Sequence, residues 1–280
     1  MKVHVISIRE VVKNVEKIFY GENENQFGEL RLPKGDGPFP VAIVIHGGFW
    51  RKHFTLEIMR EVAEDLTASG FATWNIEYRR TGQEGGGYPG TLTDAAQATD
   101  YIRTLAETYP LDLNKVVTIG HSAGGHLATW IAARHRIDKN SKLFITDNPL
   151  PIHGVVSLAG VNDLEMMHGV HEYRDQVLSL EPNNPTAELL GGSPQEYPER
   201  YKNASPVELL PLGVQQILVH GALDINVPIG ISDYYQREAE GEGDLIKLIE
   251  LPSAEHFMLT DTTSFAWETI KEEIQLLVEH

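Results

Sequence analysis

The residues whose types and spacing most clearly suggest chemistry form the pentapeptide GHSAG at positions 120–124. A β-branched run precedes it at 115–119, and a run of good helix formers follows it at 125–133. Between a strand and a helix, G-x-S-x-G is typical of a sharp turn that exposes the serine hydroxyl at the end of a sheet. The same letters also occur in ordinary strand-to-helix turns. Ser122 is therefore a candidate nucleophile that needs support from other residues.

Such a serine needs two partners, since a hydroxyl is a weak nucleophile without a base and a group that orients the base. Asp224 lies in the loop GALD (221–224) that leaves a strand-like run at 216–220, and His256 lies in the loop that follows another run at 245–251. The carboxyl ends of parallel strands meet at one edge of a sheet. We therefore predict that Ser122, Asp224 and His256 converge as a catalytic triad.

A third element is the segment HGGFW at 46–50, which directly follows the apolar run 41–45. Acyl transfer places negative charge on the carbonyl oxygen, so fixed backbone N–H groups must face that oxygen. We predict that the N–H groups of Gly48, Phe49 and Ala123 form this oxyanion hole. We also predict that Phe49, Trp50 and Tyr88 line the substrate pocket, although each could equally belong to the core.

This chemistry requires no cofactor and no metal. The chain has no cysteine, which excludes disulfides, thiolate metal sites and cysteine nucleophiles. His168 and His171 have a spacing that could bind a metal, but the sequence offers no matching third ligand. We therefore expect no metal site.

The elements that must position these residues alternate between strand-like and helix-like runs from about residue 40 onward. This alternation predicts an α/β fold with a mostly parallel central sheet and helices on both faces. Two strand-like runs, at 15–20 and 26–32, are joined by a short polar turn, which predicts an antiparallel hairpin on the sheet edge. The alternation fails at 160–211, where we expect short helical pieces at most and an insertion that forms a lid or pocket wall. We expect residues 1–280 to form one domain with this insertion.

Composition limits the partners. Across 280 residues the formal net charge is −17, which argues against binding to a nucleic-acid backbone. No segment approaches the roughly 20 apolar residues of a membrane span, and positions 1–10 lack the apolar core of a signal peptide. We expect a cytoplasmic protein that acts on a small molecule, and the sequence leaves a homodimer open.

Together, four motifs resemble the α/β-hydrolase superfamily, and within it the esterase/lipase and kynurenine formamidase (arylformamidase) branch. The motifs are HGGFW at 46–50, GHSAGGHLA at 120–128, GALD at 221–224 and EHF at 255–257. The aromatic–Trp pair after the two glycines is similar to the formamidase pattern, whereas one group of esterases carries a third glycine in place of Phe49. The resemblance implies the α/β-hydrolase fold and a serine nucleophile that forms an acyl-enzyme.

The leading hypothesis is a carboxylesterase for small esters or related amides, and the alternative is an arylformamidase. More distant alternatives are an exopeptidase related to the prolyl oligopeptidases and a non-catalytic binding protein that keeps the hydrolase fold. Such binding proteins usually lack one member of the triad, whereas all three candidates are present here.

Overall fold

A computed structural model describes residues 15–279. The segment on which the signal-peptide expectation depends, 1–10, lies outside the described residues. The described chain forms an eight-stranded sheet in the order β1-β2-β4-β3-β5-β6-β7-β8. The strands are β1 (Val15–Phe19), β2 (Phe27–Arg31), β3 (Phe39–Ile45), β4 (Ala72–Ile76), β5 (Leu111–His121), β6 (Gly154–Leu158), β7 (Gln215–Gly221) and β8 (Ile246–Leu251).

The six strands from β3 to β8 pair in parallel, while β1 and β2 form an antiparallel hairpin on one edge. The prediction of a mostly parallel sheet with an antiparallel hairpin is confirmed. The α-helices are α1 (Arg60–Ala68), α2 (Gly90–Asp100), α3 (Ile102–Leu105), α4 (Ala123–Ala132), α5 (Leu164–Val177), α6 (Pro185–Leu190), α7 (Pro198–Ala204), α8 (Gly230–Gly241) and α9 (Phe265–Glu279).

Two apolar cores lie on the two faces of the sheet, because successive side chains of a strand point to opposite faces. In β3, Ile43 and Ile45 belong to one core and Val44 to the other. The first core holds α2, α4 and the insertion, and the second holds α1 and α9. Both faces are covered, which explains the nearly continuous apolar composition of the central strands.

The insertion at 160–211 is more regular than its sequence suggested. It contains α5, α6 and α7, and α5 is 14 residues long, so the expectation of short helical pieces was wrong. Asp163 caps the start of α5 by accepting a hydrogen bond from the backbone N–H of Met166 at 2.9 Å. Leu164, Met167 and His171 are buried at helical spacing, so packing against the domain stabilises the helix despite a polar composition.

Candidate active site

Ser122 lies on the turn between β5 and α4. Its backbone has φ 58° and ψ −120°, a conformation that a non-glycine residue adopts only when its surroundings enforce it. Its N–H donates to the carbonyl oxygen of Leu158 at 2.8 Å. The turn is tight: a Cβ added to Gly120 would lie 2.0 Å from the carbonyl oxygen of Gly124. Gly120 is therefore required by the close approach of the chain on either side of Ser122, and Gly124 is required because a Cβ there would lie 2.1 Å from the carbonyl oxygen of Ile45.

Asp224 and His256 meet in the loops that follow β7 and β8. The Nδ1 of His256 lies 2.5 Å from Oδ2 of Asp224. The other carboxylate oxygen accepts backbone N–H groups from Asn226 at 2.8 Å and Val227 at 2.9 Å. The carboxylate is thus fixed on both oxygens, and it holds the imidazole with Nε2 free for proton transfer.

A second histidine supports this carboxylate. His220, at the end of β7, has Nε2 3.3 Å from Oδ2 of Asp224 and 2.9 Å from the carbonyl oxygen of Val227. Its Nδ1 lies 2.8 Å from the hydroxyl of Ser232, which donates to it. Burial alone would raise the pKa of Asp224, but hydrogen bonds from His220 and His256 outweigh burial and hold that pKa well below its ordinary value. His220 is not among the residues predicted from the sequence, where its only signal is its position four residues before Asp224.

His121 connects the nucleophile turn to the histidine loop. Its Nε2 lies 2.9 Å from the backbone carbonyl oxygen of His256, and the two imidazole rings are 4.4 Å apart. Burial and the neighbouring His256 lower the pKa of His121 to about 3, so its ring is neutral and donates to that carbonyl. The residue before Ser122 therefore brings the His256 loop next to the turn. Ser122 and His256 are only 3% and 4% exposed, respectively.

The segment 46–50 packs against the nucleophile turn. A Cβ added to Gly47 would lie 2.6 Å from the carbonyl oxygen of His121 and 3.1 Å from Cβ of Ser122. The backbone then turns through positive φ angles of 104° at Gly48 and 51° at Phe49. We call residues 46–50 the oxyanion segment.

The donors predicted for the oxyanion hole therefore belong to two segments that are in contact. Ala123 is the first residue of α4, where an N–H has no partner within the helix. Buried polar contacts fix the start of the oxyanion segment: Nε2 of His46 lies 2.9 Å from the carboxylate of Glu77, and the hydroxyl of Tyr78 donates to the carbonyl oxygen of His46 at 2.8 Å.

The residues predicted to line the pocket differ in position. Phe49 is half-buried, and its ring lies 5.4 Å from His171 of α5 at an interplanar angle of 68°, so it faces the insertion. Trp50 is fully buried, and its Nε1 donates to Nδ1 of His126 at 3.2 Å. The prediction that Trp50 contacts substrate was wrong, because its ring packs against α4 inside the core.

Tyr88 lies against α7 of the insertion. Its ring is covered by the guanidinium of Arg200, 4.9 Å from the ring centroid. With Lys142 and Asn203 it lines a separate surface cavity. Nε1 of Trp130 donates to the backbone carbonyl oxygen of Asn203 at 2.9 Å. Trp130 lies near the C-terminal end of α4, whereas Ser122 precedes its N-terminal end. The substrate contact expected at Tyr88 stays a prediction.

Within residues 15–279, no group of three or more His, Asp or Glu side chains is arranged to hold a metal ion. His168 is near the carboxylate of Glu172 at 3.5 Å, and His171 faces Phe49 instead. In the same described range, no helix is long and apolar enough to cross a membrane.

A mostly parallel sheet with a serine on the tight turn after its central strand defines an α/β-hydrolase. Residues 29–238, three quarters of the chain, match the BD-FAE family, and the chain belongs to that family. The match includes Ser122 and Asp224 and ends before His256.

Individual relatives agree with this class. Esterase EstD of Thermotoga maritima is 25% identical over 245 residues, which cover 83% of this chain and 58% of that protein. A truncated carbohydrate esterase from gut microbiota superposes with a TM-score of 0.80 at 20% identity, covering 98% of this chain and 99% of that one. Thermogutta terrifontis esterase 2, in a form phosphoramylated by tabun, has a TM-score of 0.76 at 19% identity, covering 96% and 95%. The chain thus spans little more than half of the curated relative and nearly all of the two solved structures.

Proposed function

We propose that the protein is a serine carboxylesterase that hydrolyses small esters through an acyl-enzyme. The observation that carries the proposal is the juxtaposition of the strained Ser122 turn with the His256–Asp224 pair, whose atoms are 2.5 Å apart. The esterase names of the relatives support it, EstD among them. Apart from the ester and water, the reaction uses only the side chains and backbone N–H groups described above.

In the first half-reaction, Oγ of Ser122 attacks the ester carbonyl carbon while Nε2 of His256 takes the hydroxyl proton. The negative charge that develops on the carbonyl oxygen is stabilised by the N–H groups of Gly48, Phe49 and Ala123. The imidazolium is stabilised by the Asp224 carboxylate. The carbon–oxygen bond of the ester then breaks, and the leaving alkoxide receives the proton from His256.

In the second half-reaction, His256 removes a proton from water, and the resulting hydroxide attacks the acyl-enzyme. The bond to Ser122 breaks, its oxygen recovers the proton from His256, and a carboxylic acid is released. Both half-reactions use the same donors because both pass through a tetrahedral oxyanion.

The direct test is labelling with a fluorophosphonate probe, combined with hydrolysis of 4-nitrophenyl acetate. We expect the wild type to be labelled and active, and Ser122→Ala to lose both properties. Ser253→Ala is the matched control, since Ser253 is an exposed serine in the loop of His256 and should be labelled like the wild type. Equal labelling of Ser122→Ala and wild type would refute the proposal, and no labelling of the wild type would favour a non-catalytic binding protein.

Hydrolysis of an aryl formamide is the second candidate, supported by the aromatic residue Phe49 after the glycine pair and its position against the insertion. Both reactions use the same triad. The two are separated by comparing kcat/KM for 4-nitrophenyl acetate with kcat/KM for N-formylkynurenine. A formamide preference of several orders of magnitude would replace the esterase proposal.

We further propose a cytoplasmic location. The absence of cysteine from all 280 residues supports it, because a thiol-free chain has no disulfides that would benefit from an oxidising compartment. Fractionation of the native cell, followed by detection of the labelled protein, tests this location.

A further inference from the structure

A cavity of about 260 Å³ lies where three segments meet, next to the oxyanion segment. The first segment directly follows the oxyanion segment, the second is the glycine-rich loop after β4, and the third is α6 of the insertion. The lining residues are Arg51, Lys52, His53, Thr81, Gly82 and Glu188. The cavity is separate from Ser122 and belongs to none of the catalytic groups described above.

The lining has a surplus of positive charge, in a chain whose net charge is −17. Arg51 holds the single carboxylate of the lining, because its Nε and Nη2 lie 2.8 Å and 2.6 Å from the two oxygens of Glu188. This bidentate pair neutralises Glu188. Lys52 and His53 are exposed, and neither forms an ion pair with any residue in the range 15–279. The Lys52 ammonium and the His53 ring nitrogens are therefore available to a ligand.

Thr81 supplies a second and independent observation. Its hydroxyl oxygen is buried and has no hydrogen-bond partner among the described residues. Two backbone hydrogen bonds hold Thr81 in place. Its N–H donates to the backbone carbonyl oxygen of Trp50 at 2.8 Å, and its carbonyl oxygen accepts from the backbone N–H of Lys52 at 3.2 Å. Buried hydroxyls are nearly always paired. Because Thr81 lines the cavity, a small movement of the lining would let a ligand atom pair with this hydroxyl.

We propose that this cavity binds a carboxylate carried by the substrate, so that the preferred esters are anionic. Lys52 would provide the charge, Thr81 a hydroxyl donor and His53 a further donor. The position fits a substrate group, because Arg51, which lines the cavity, is two residues after Phe49, so the Cα atoms of these two residues are at most about 8 Å apart. The inference rests on the proposed esterase function and adds the chemical class of its substrate.

The test compares matched pairs of esters that differ only in a carboxylate. For the acyl side, 4-nitrophenyl hydrogen glutarate is compared with 4-nitrophenyl butyrate. For the alcohol side, 4-acetoxybenzoate is compared with phenyl acetate. We expect the wild type to prefer the anionic member of at least one pair in kcat/KM, and this preference should weaken as salt is raised from 0.02 to 0.5 M. The pair that shows the preference identifies the side of the substrate that occupies the cavity.

Two variants test the residues. Lys52→Ala and Thr81→Val should each lower the anionic-to-neutral ratio of kcat/KM by about fivefold, as expected for one partly exposed charged or polar contact. Lys142→Ala is the matched control, because Lys142 is also an exposed lysine, but it lines a different surface cavity that shares no lining residue with the proposed site. Its ratio should equal that of the wild type. Thr81→Val should also leave the unfolding temperature unchanged or raise it, since the hydroxyl it removes has no partner.

A wild type without preference in either pair would refute the carboxylate site, and so would an equal loss of preference in Lys142→Ala. If no ester is hydrolysed at all, the proposed function fails, and the cavity is then tested by titrating glutarate into the protein and measuring binding calorimetrically. Binding that is weakened in Lys52→Ala but not in Lys142→Ala would support the site. The absence of binding would overturn it.

Discussion

The substitution Gly47→Ala tests whether close contact between the oxyanion segment and the nucleophile turn is needed for activity. The added methyl group would lie 2.6 Å from the carbonyl oxygen of His121, where ordinary Cβ contacts are at least 3.0 Å. It would also lie 3.1 Å from Cβ of Ser122. The oxyanion segment must therefore move away from the turn by at least about 0.4 Å, the difference between 2.6 and 3.0 Å.

This displacement affects the donors directly, because Gly48 and Phe49 follow Gly47 in the chain. Removing one oxyanion donor typically lowers kcat by about 100- to 1,000-fold. A misplaced donor is a smaller perturbation, so we expect kcat/KM of Gly47→Ala on 4-nitrophenyl acetate to fall by about 100-fold, which corresponds to about 2.7 kcal/mol of transition-state stabilisation.

The assay measures kcat and KM together with the unfolding temperature. We expect the loss to appear in kcat, since the oxyanion exists only in the transition state and the intermediates. Gly230→Ala is the control, because a Cβ at Gly230 meets no atom within 4 Å. A folded Gly47→Ala protein that retains more than a third of wild-type kcat/KM would refute the reasoning, and so would an equal loss in Gly230→Ala.

Three further predictions concern groups around the site. His220→Phe removes the second imidazole from the Asp224 carboxylate, and we expect kcat to fall about tenfold with little change in KM; unchanged kcat would show that His256 and the two backbone donors suffice. Trp50→Phe removes the donor to Nδ1 of the buried His126, and chemical denaturation should show a loss of about 2 kcal/mol in unfolding free energy; an unchanged denaturation midpoint would contradict this. Burial lowers the pKa of His121 to about 3 and of His126 to about 4, below the ordinary 6.5, so the unfolded chain takes up these protons first as the pH falls. Each of these two histidines should therefore reduce stability by up to about 1.4 kcal/mol per pH unit between about pH 6 and pH 4. Denaturation at several pH values should show a shallower dependence of stability on pH for His126→Gln than for the wild type, and an unchanged dependence would contradict this.

Much of the fold follows from local patterns. The apolar runs predicted the strands, and GHSAG predicted the turn at Ser122, because a glycine-flanked serine between a strand and a helix has few other structural solutions. The insertion was harder. Helix α5 has a polar composition, and its stability comes from contacts with the domain, which no local pattern displays.

The sequence by itself determined the residue types that can do the chemistry and their order along the chain, because each strand end presents its loop at the same edge of the sheet. Only the tertiary structure decided which aromatic side chains are available: Phe49 faces the insertion, whereas Trp50 is held in the core by His126, 76 residues away. The tertiary structure also decided the supporting roles of His121 and His220, whose partners are a distant backbone carbonyl and a carboxylate fixed by its own loop. The physical reason is that burial and hydrogen bonding across the fold depend on contacts between segments far apart in sequence.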